Sequence, residues 1–478
     1  MDQQRMQKLN SRPIAADGDF VLYWMTAARR LTWNFALQRA IGHAAVLNKP
    51  LVILEALRCG YPWASDRLHQ FIIDGMSDNA QTASRANALY YPYIERQRDA
   101  GKGLIAALAQ RACVIVTDDF PCFMLPRMTA AAARQSQVLI ESVDTNGIVP
   151  IRAANQTFVS AYQFRRYLQR MLPEHLLRTP QPDPLAQTAG LPHLSALPTH
   201  ISQRWPPGLA NPALLPIDHS VPPAPISGGP RAANTRLRAF VNTLLPRYAD
   251  ERNSPDDDVS SGLSPYLHFG HISSHEIVAE LTADWSPEFL PQRANGSREG
   301  WWGLHPSREA FLDQLITWRE LGFNLCAQRD DYADFDALPA WAKQTLELHA
   351  ADPREYVYST EEFESAQTHD PLWNAAQRQL RREGRIHNYL RMLWGKKILE
   401  WTPGPREAAH IMITLNDKYA LDGRDPNSYS GIFWCLGRYD RPWGPERQIF
   451  GKIRYMSSEN TARKVRVTAY LKKYSPRG

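Results

Sequence analysis

Cysteine is scarce and unpaired in this 478-residue chain: Cys59, Cys113, Cys122, Cys326 and Cys435 form no CxxC. A disulfide framework or a zinc ribbon is therefore excluded, and a reducing compartment is expected. No apolar run reaches the roughly 20 residues that a membrane-spanning helix needs. The opening stretch, MDQQRMQKLNSRP, has none of the apolar character of a secretory leader. A soluble, cytoplasmic protein is the expectation. Neither GxGxxG nor GxxxxGK with Ser or Thr follows an apolar strand, so a dehydrogenase or an NTPase lacks its phosphate loop.

What is present is ample core material, 44% hydrophobic residues, on a length that calls for two or three domains. In the first 150 residues, apolar runs at 20–25, 51–54, 113–116 and 138–140 read as buried strands. They alternate with helical spacing at 34–48 and 67–74. That alternation predicts a parallel, doubly wound sheet. From Pro180 to Pro230, 13 of 51 residues are proline, a density that neither helices nor central strands tolerate. A connector is predicted there. Beyond it, 235–248, 314–326, 371–383, 387–401 and 406–419 carry helical patterns. The expected layout is an α/β domain at 1–175, a connector at 176–232 and an all-α domain at 233–478.

The net charge of +6 is unevenly placed. Residues 438–478 hold eleven Lys and Arg against three Asp and Glu. Such an end is either a solvated surface or an electrostatic footprint for nucleic acid. Interleaved aromatics (Tyr439, Trp443, Tyr455, Tyr470) weigh toward nucleic acid. Nine of the 14 tryptophans lie from Trp301 onward, as core packing, stacking platforms or a redox chain.

Several clusters carry candidate chemistry. His268, His271 and His275 have near-helical spacing, but further ligands are not evident and Gly270 marks a turn. Helix-start and packing roles are expected for them, and no metal. The segment SSGLSPYL at 260–267 joins small hydroxyl residues, Gly and Pro. It either caps a helix or lets backbone N–H groups approach an anion. Trp394 and Trp401 are seven residues apart, on one helix face and roughly 10.5 Å from each other. They either fill a core or relay electrons, and Trp373 joins them only if its helix folds back beside theirs. The DGRDPN cluster at 422–427 holds more polar groups than a turn requires, and Arg391 is a candidate ion-pair partner for Asp422.

In order along the chain, SGLSPYLHFGHIS, WNAAQ, RMLWGKKILEWT, LNDKYALDGRDPN and IFGKIRYM resemble the class II cyclobutane pyrimidine dimer photolyases of the photolyase/cryptochrome superfamily. DFVLYWM resembles the first strand of that family's antenna domain. The resemblance implies an α/β Rossmann-like antenna domain followed by an all-α FAD-binding domain. It implies light-driven electron transfer from reduced FAD to a flipped-out pyrimidine dimer in UV-damaged DNA, with ring opening and return of the electron. A second antenna chromophore, of deazaflavin or folate type, is left open. A monomer is implied, nucleoid-associated in a bacterium or archaeon.

Carried over residue by residue, the resemblance puts the FAD phosphates near Tyr248, Ser261, Gly262, Leu263 and Ser264, with Arg319 close by. Arg391 and Asp422 resemble the ion pair beside the flavin ring, and Asn416 the asparagine facing flavin N5. Trp394, Trp373 and Trp401 resemble the electron-transfer tryptophans, with Trp394 nearest the flavin. Trp318 and Trp434 match the aromatic walls of the dimer pocket, and Arg441 and Arg454 the arginines that enter the duplex gap.

Two positions depart from the family pattern. FLDQLI at 311–316 puts Gln314 where the family carries a dimer-binding glutamate, and Asp313 points about 100° away from it on a helix. GRYDR at 437–441 is one residue shorter than the usual turn and lacks its histidine. Both lie at the lesion pocket. The leading reading is a light-driven repair lyase; the alternative, favoured by Gln314, is a cryptochrome-like photoreceptor.

Overall fold

The computed structural model describes residues 2–291 and 293–476. The outermost ends of the two expected domains, residue 1 and residues 477–478, lie outside these. Two compact units are present, one comprising residues through 154 with 171–238 and 263–289, the other 155–170, 239–262 and the chain from 290 on.

The first unit is built on a six-stranded sheet. Its strands are β1 (Met6–Lys8), β2 (Phe20–Met25), β3 (Leu51–Leu57), β4 (Leu89–Ile94), β5 (Ala112–Asp118) and β6 (Ile140–Val143), in the order β1-β6-β5-β2-β3-β4. All neighbours are parallel except β1, which pairs antiparallel with β6, Met6 opposite Val143. Successive strand residues face opposite sides, and β2 divides accordingly. Val21, Tyr23 and Met25 enter one core with the helix Phe35–Leu47, while Phe20, Leu22 and Trp24 enter another with Leu104, Leu108 and Trp205. A continuous apolar run is what a strand covered on both faces requires.

β4 escapes the sequence reading because Pro92 sits inside it. Proline has no N–H for a ladder, so it is tolerated on a sheet edge, which is where β4 lies. Residues 176–232, expected as a connector, contribute Leu197, Ile201 and Trp205 to the second core. At the carboxyl end of β5, buried Asp118 accepts from the N–H groups of Thr26, Ala27 and Ala28 at 2.8–3.0 Å. Gly270 takes φ +69°, and a Cβ there would lie 2.0 Å from the Ala27 carbonyl oxygen. The three histidines are packed: His268 edge-on to Phe120, His271 stacked on Phe71, His275 edge-on to Phe35.

The second unit is helical. Four helices that carry most of the candidate chemistry run Pro371–Glu383, Asn388–Glu400, Pro405–Tyr419 and Pro426–Cys435. Local chemistry starts them: proline stands at the first position of three, and Asp370 and Asp425 accept from the first free N–H groups of two. Among the described residues no helix is long and apolar enough to cross a membrane.

Candidate functional site

The helix Pro371–Glu383 folds back against Asn388–Glu400, which brings Trp373 into contact with the other two tryptophans. Its indole N–H donates to the Trp394 backbone carbonyl at 3.0 Å, and its ring lies 6.1 Å from Trp401, edge to face. The Trp394 indole N–H donates to the Gln377 amide oxygen at 2.9 Å. All three rings are buried, Trp373 completely. Trp373 thus touches Trp394 through its indole N–H and Trp401 through its ring.

Arg391 and Trp394 are three residues apart and share a helix face. One Arg391 nitrogen lies 3.4 and 3.3 Å from the two Asp422 oxygens. Buried Asn416 donates its amide N–H to Ser428 Oγ at 2.5 Å and to Asp417 at 3.3 Å, which turns its carbonyl oxygen away from both. Other members of the polar cluster are structural. Arg424 is spent on the carbonyls of Asp417, Ala420 and Leu421, and Asp425 caps the following helix. Burial raises the Asp417 carboxyl above the usual range, against the pull of Arg424.

Gln314 and Trp318 lie on one turn of π-helix, Asp313–Trp318, a wide turn that recurs at functional sites. Both are half-buried, whereas Asp313 is buried. Trp318 stacks on Trp434 with centroids 4.8 Å apart and planes 22° from parallel, so each indole covers one face of the other and no base fits between them in this arrangement. Gly322 makes this approach possible, since a Cβ there would sit 2.7 Å from the Pro426 carbonyl oxygen of the helix carrying Trp434. Fully buried Lys396 closes that helix by donating to the Cys435 carbonyl at 2.5 Å. Burial lowers its ammonium to about 8.

Tyr248 is packed edge-on to Phe240 and Phe311, and burial raises its phenol. Arg319 lies 4.4 Å over the Phe323 ring. Ser261 and Gly262 belong to the second unit, Leu263 and Ser264 to the first. The helix that Ser264 opens, Ser264–His268, is five residues long, too short for much of a dipole. Neighbouring Ser260 donates to Asp258 at 2.6 Å, and Arg385 lies 2.6 Å from the same carboxylate. Burial opposes the Asp258 charge, but Arg385 outweighs it and holds the group at about 2. His387, just before the Arg391 helix, is buried with neither ring nitrogen hydrogen-bonded, and burial lowers it to about 4.

Arg441 and Arg454 converge on Trp443, their guanidinium carbons 4.4 and 4.3 Å from the ring centroid. Asp440 completes the group, 3.2 Å from Arg454 and accepting from the Trp443 indole N–H at 3.1 Å.

No family model matches the chain. It is 36% identical over 473 residues to the deoxyribodipyrimidine photo-lyase of Methanothermobacter thermautotrophicus, covering 98% of this chain and 97% of the relative. It is 35% identical to the enzyme of that name from Oryza sativa, covering 95% of this chain and 87% of the relative. The chain belongs to the deoxyribodipyrimidine photo-lyase family. A bacterial class III photolyase from Agrobacterium tumefaciens has the same fold, with a TM-score of 0.68 at 17% identity over 96% of this chain and 86% of that one.

Against that photo-lyase background, the structure draws together Trp394, Trp373 and Trp401, then Arg391 and Asp422, then Trp318 and Trp434, then Arg441 and Arg454. The sequence singled out Trp443 only as one of several aromatics among the basic residues, and gave no role to Asp440, Ser428, Gln377 or Lys396, which contact those residues or the helices that carry them. Gln377 had a visible signal, four residues after Trp373 on the same helix face. Ser428 and Lys396 had none, because their partners are distant in sequence.

Proposed function

We propose that this chain is a light-driven lyase of the class II type that opens cyclobutane pyrimidine dimers in DNA. The observation that carries it is the set of three buried, mutually contacting tryptophans that shares a helix face with Arg391, itself paired with Asp422. Family membership adds weight.

The donor set fits a flavin. Arg391 with Asp422, and Asn416 with its carbonyl oxygen unspent, would hold the ring; the orphaned imidazole of His387 marks a buried polar atom in want of a partner. Tyr248, Ser261, Gly262, Leu263, Ser264 and Arg319 are proposed for the phosphate side. FAD, when bound and fully reduced, supplies the light-excited electron that opens the dimer and is then recovered.

The chain's own residues do the rest. Ser428 and Asp417 fix the Asn416 amide so that its oxygen meets an N–H donor. Arg391 holds positive charge where negative charge develops, tempered by Asp422. Trp394, Trp373 and Trp401 carry electrons inward to restore the reduced state. The outward-facing indole surface of the Trp318–Trp434 stack meets the extruded dimer, and Gln314 donates its amide N–H to a dimer carbonyl. Arg441 and Arg454 occupy the gap left in the duplex. The first unit is proposed to take a second chromophore, of deazaflavin or folate type, at the carboxyl ends of its strands.

The test is dimer repair on a defined oligonucleotide. Repair in blue light and none in darkness is the expected result; no repair in either, with FAD loaded and reduced, would favour the photoreceptor reading that Gln314 allows.

A further inference from the structure

One side chain is fastened to both sides of the proposed flavin site. Tyr470 lies on the helix Thr468–Lys473, with only 3% of its surface exposed. Its backbone N–H donates to Asp256 Oδ1 at 2.8 Å. Its hydroxyl donates to the Gln379 amide oxygen at 2.8 Å, and the same oxygen accepts from the His387 backbone N–H at 2.8 Å. Asp256 stands on the segment that leads into Ser261, proposed for the FAD phosphates. His387 directly precedes the helix that carries Arg391.

Two further ties hold the same segment. The Asp256 N–H donates to the Arg466 carbonyl at 3.3 Å, and the Arg466 guanidinium lies 2.7 Å from Asp257. Both contacts come from the stretch that leads into the Tyr470 helix. Arg385 reaches Asp258 at 2.6 Å, but with 28% and 29% of the two side chains exposed this pair is within reach of water and salt. The Tyr470 hydroxyl bond is buried, where hydrogen bonds are electrostatically stronger. A ligand held between two segments enters and leaves as the segments part.

We propose that Tyr470 is a positioning residue for the cofactor, and that its helix is a latch setting how fast FAD enters and leaves. The proposal rests on the flavin reading above and goes beyond it, since neither Tyr470 nor Asp256 belongs to the residues assigned to FAD. With the latch closed, the segment before Ser261 and the start of the Arg391 helix are joined through one tyrosine. With Tyr470 released from Gln379 or from Asp256, the two can separate. Gln379 keeps its bond to the His387 N–H in either state, so opening leaves its buried amide oxygen with a donor. Opening is therefore a local event.

The experiment is FAD release from the full-length, FAD-loaded protein, read as the rise of flavin fluorescence on dilution. Tyr470→Phe removes the hydroxyl and keeps the ring. Release should be about fivefold faster, which is about 1 kcal/mol at 1.4 kcal/mol per decade. Asp256→Ala, cutting the other tie, should act in the same direction. Hydrogen exchange of the backbone amides from 256 to 262 should quicken in both variants. Ser359→Ala, the control, deletes the cap of the helix Thr360–Ser365 in the same unit. It should lower the urea midpoint comparably and leave release unchanged. Release unchanged in Tyr470→Phe, or equally hastened by Ser359→Ala, overturns the latch with the flavin site intact. A wild-type protein that takes up no FAD overturns the flavin reading, and the latch with it.

Discussion

Arg165 and Asp313 form a two-point ion pair, at 2.7 and 3.1 Å, with only 12% and 5% of their side chains exposed. The pair fastens the π-helical turn that presents Gln314 and Trp318. It also gives Asp313 an occupation, so this carboxylate is not on offer as a stand-in for the family glutamate.

Asp313→Asn would leave the Arg165 guanidinium buried without a counter-charge. Removing one partner of such a pair costs about 3 kcal/mol. Urea unfolding should register a loss of that order, and a loss under about 0.5 kcal/mol would class the pair with surface bridges.

Gln314 can donate to a dimer carbonyl but cannot surrender a proton to it. Wild type is therefore expected to bind dimers and repair them at reduced quantum yield. Gln314→Glu should raise repair per absorbed photon with FAD content unchanged. One light-dose curve on both proteins decides: activity only in the Glu variant identifies a sensor that lost repair at this position, and activity in neither excludes the lyase.

Trp394→Phe keeps an aromatic ring of smaller volume that is much harder to oxidise. Photoreduction of bound flavin in the presence of a thiol should slow sharply while FAD is retained. Unchanged photoreduction would reduce the three tryptophans to packing.

Trp443 lies under both Arg441 and Arg454. Each cation–ring contact at an exposed site is worth about 0.5–1 kcal/mol. Trp443→Ala should therefore weaken binding to dimer-containing duplex by about tenfold, at the 1.4 kcal/mol per decade conversion. Intact duplex should lose less; equal losses on both would make the two arginines general phosphate contacts.

His271 is fully buried, accepts from the Gly229 N–H at Nδ1 at 2.9 Å, and is lowered by burial, with help from Arg29 and Arg30, to about 3. In the unfolded chain its imidazole takes a proton below its ordinary value of 6.5. Between those limits the unfolded state binds more protons, so stability falls as pH falls, by at most about 1.4 kcal/mol per pH unit for one group. His387, lowered to about 4, acts in the same direction. Urea midpoints taken from roughly pH 7 to 5 should decline, and less steeply in His271→Gln, which keeps an acceptor. A parallel decline in that variant would assign the acid sensitivity elsewhere.

Much of this molecule was determined by sequence alone, wherever the cause is local. The helices Phe35–Leu47 and Pro371–Glu383 fall within the spans that helical spacing marked, and Asn34 and Asp370 start them by capping, which needs only a side chain and the next two or three N–H groups. β2, β3 and β5 declare themselves as apolar runs, because a strand covered on both faces must be apolar throughout. The motifs around Trp394, Asn416 and Asp422 are contiguous enough to read directly.

Tertiary structure decided what depends on partners far away in the chain. That Trp373 touches both Trp394 and Trp401 follows from one helix folding back on another, which spacing cannot state. The edge place of β4 decides that Pro92 is harmless. Arg165 reaches Asp313 from 148 residues away, and Tyr358 reaches His369 across a short helix and Trp401 across two more. Hydrogen bonds, ion pairs and ring contacts act over a few ångströms, whatever the separation along the chain. Only the folded chain determines which side chains come that close.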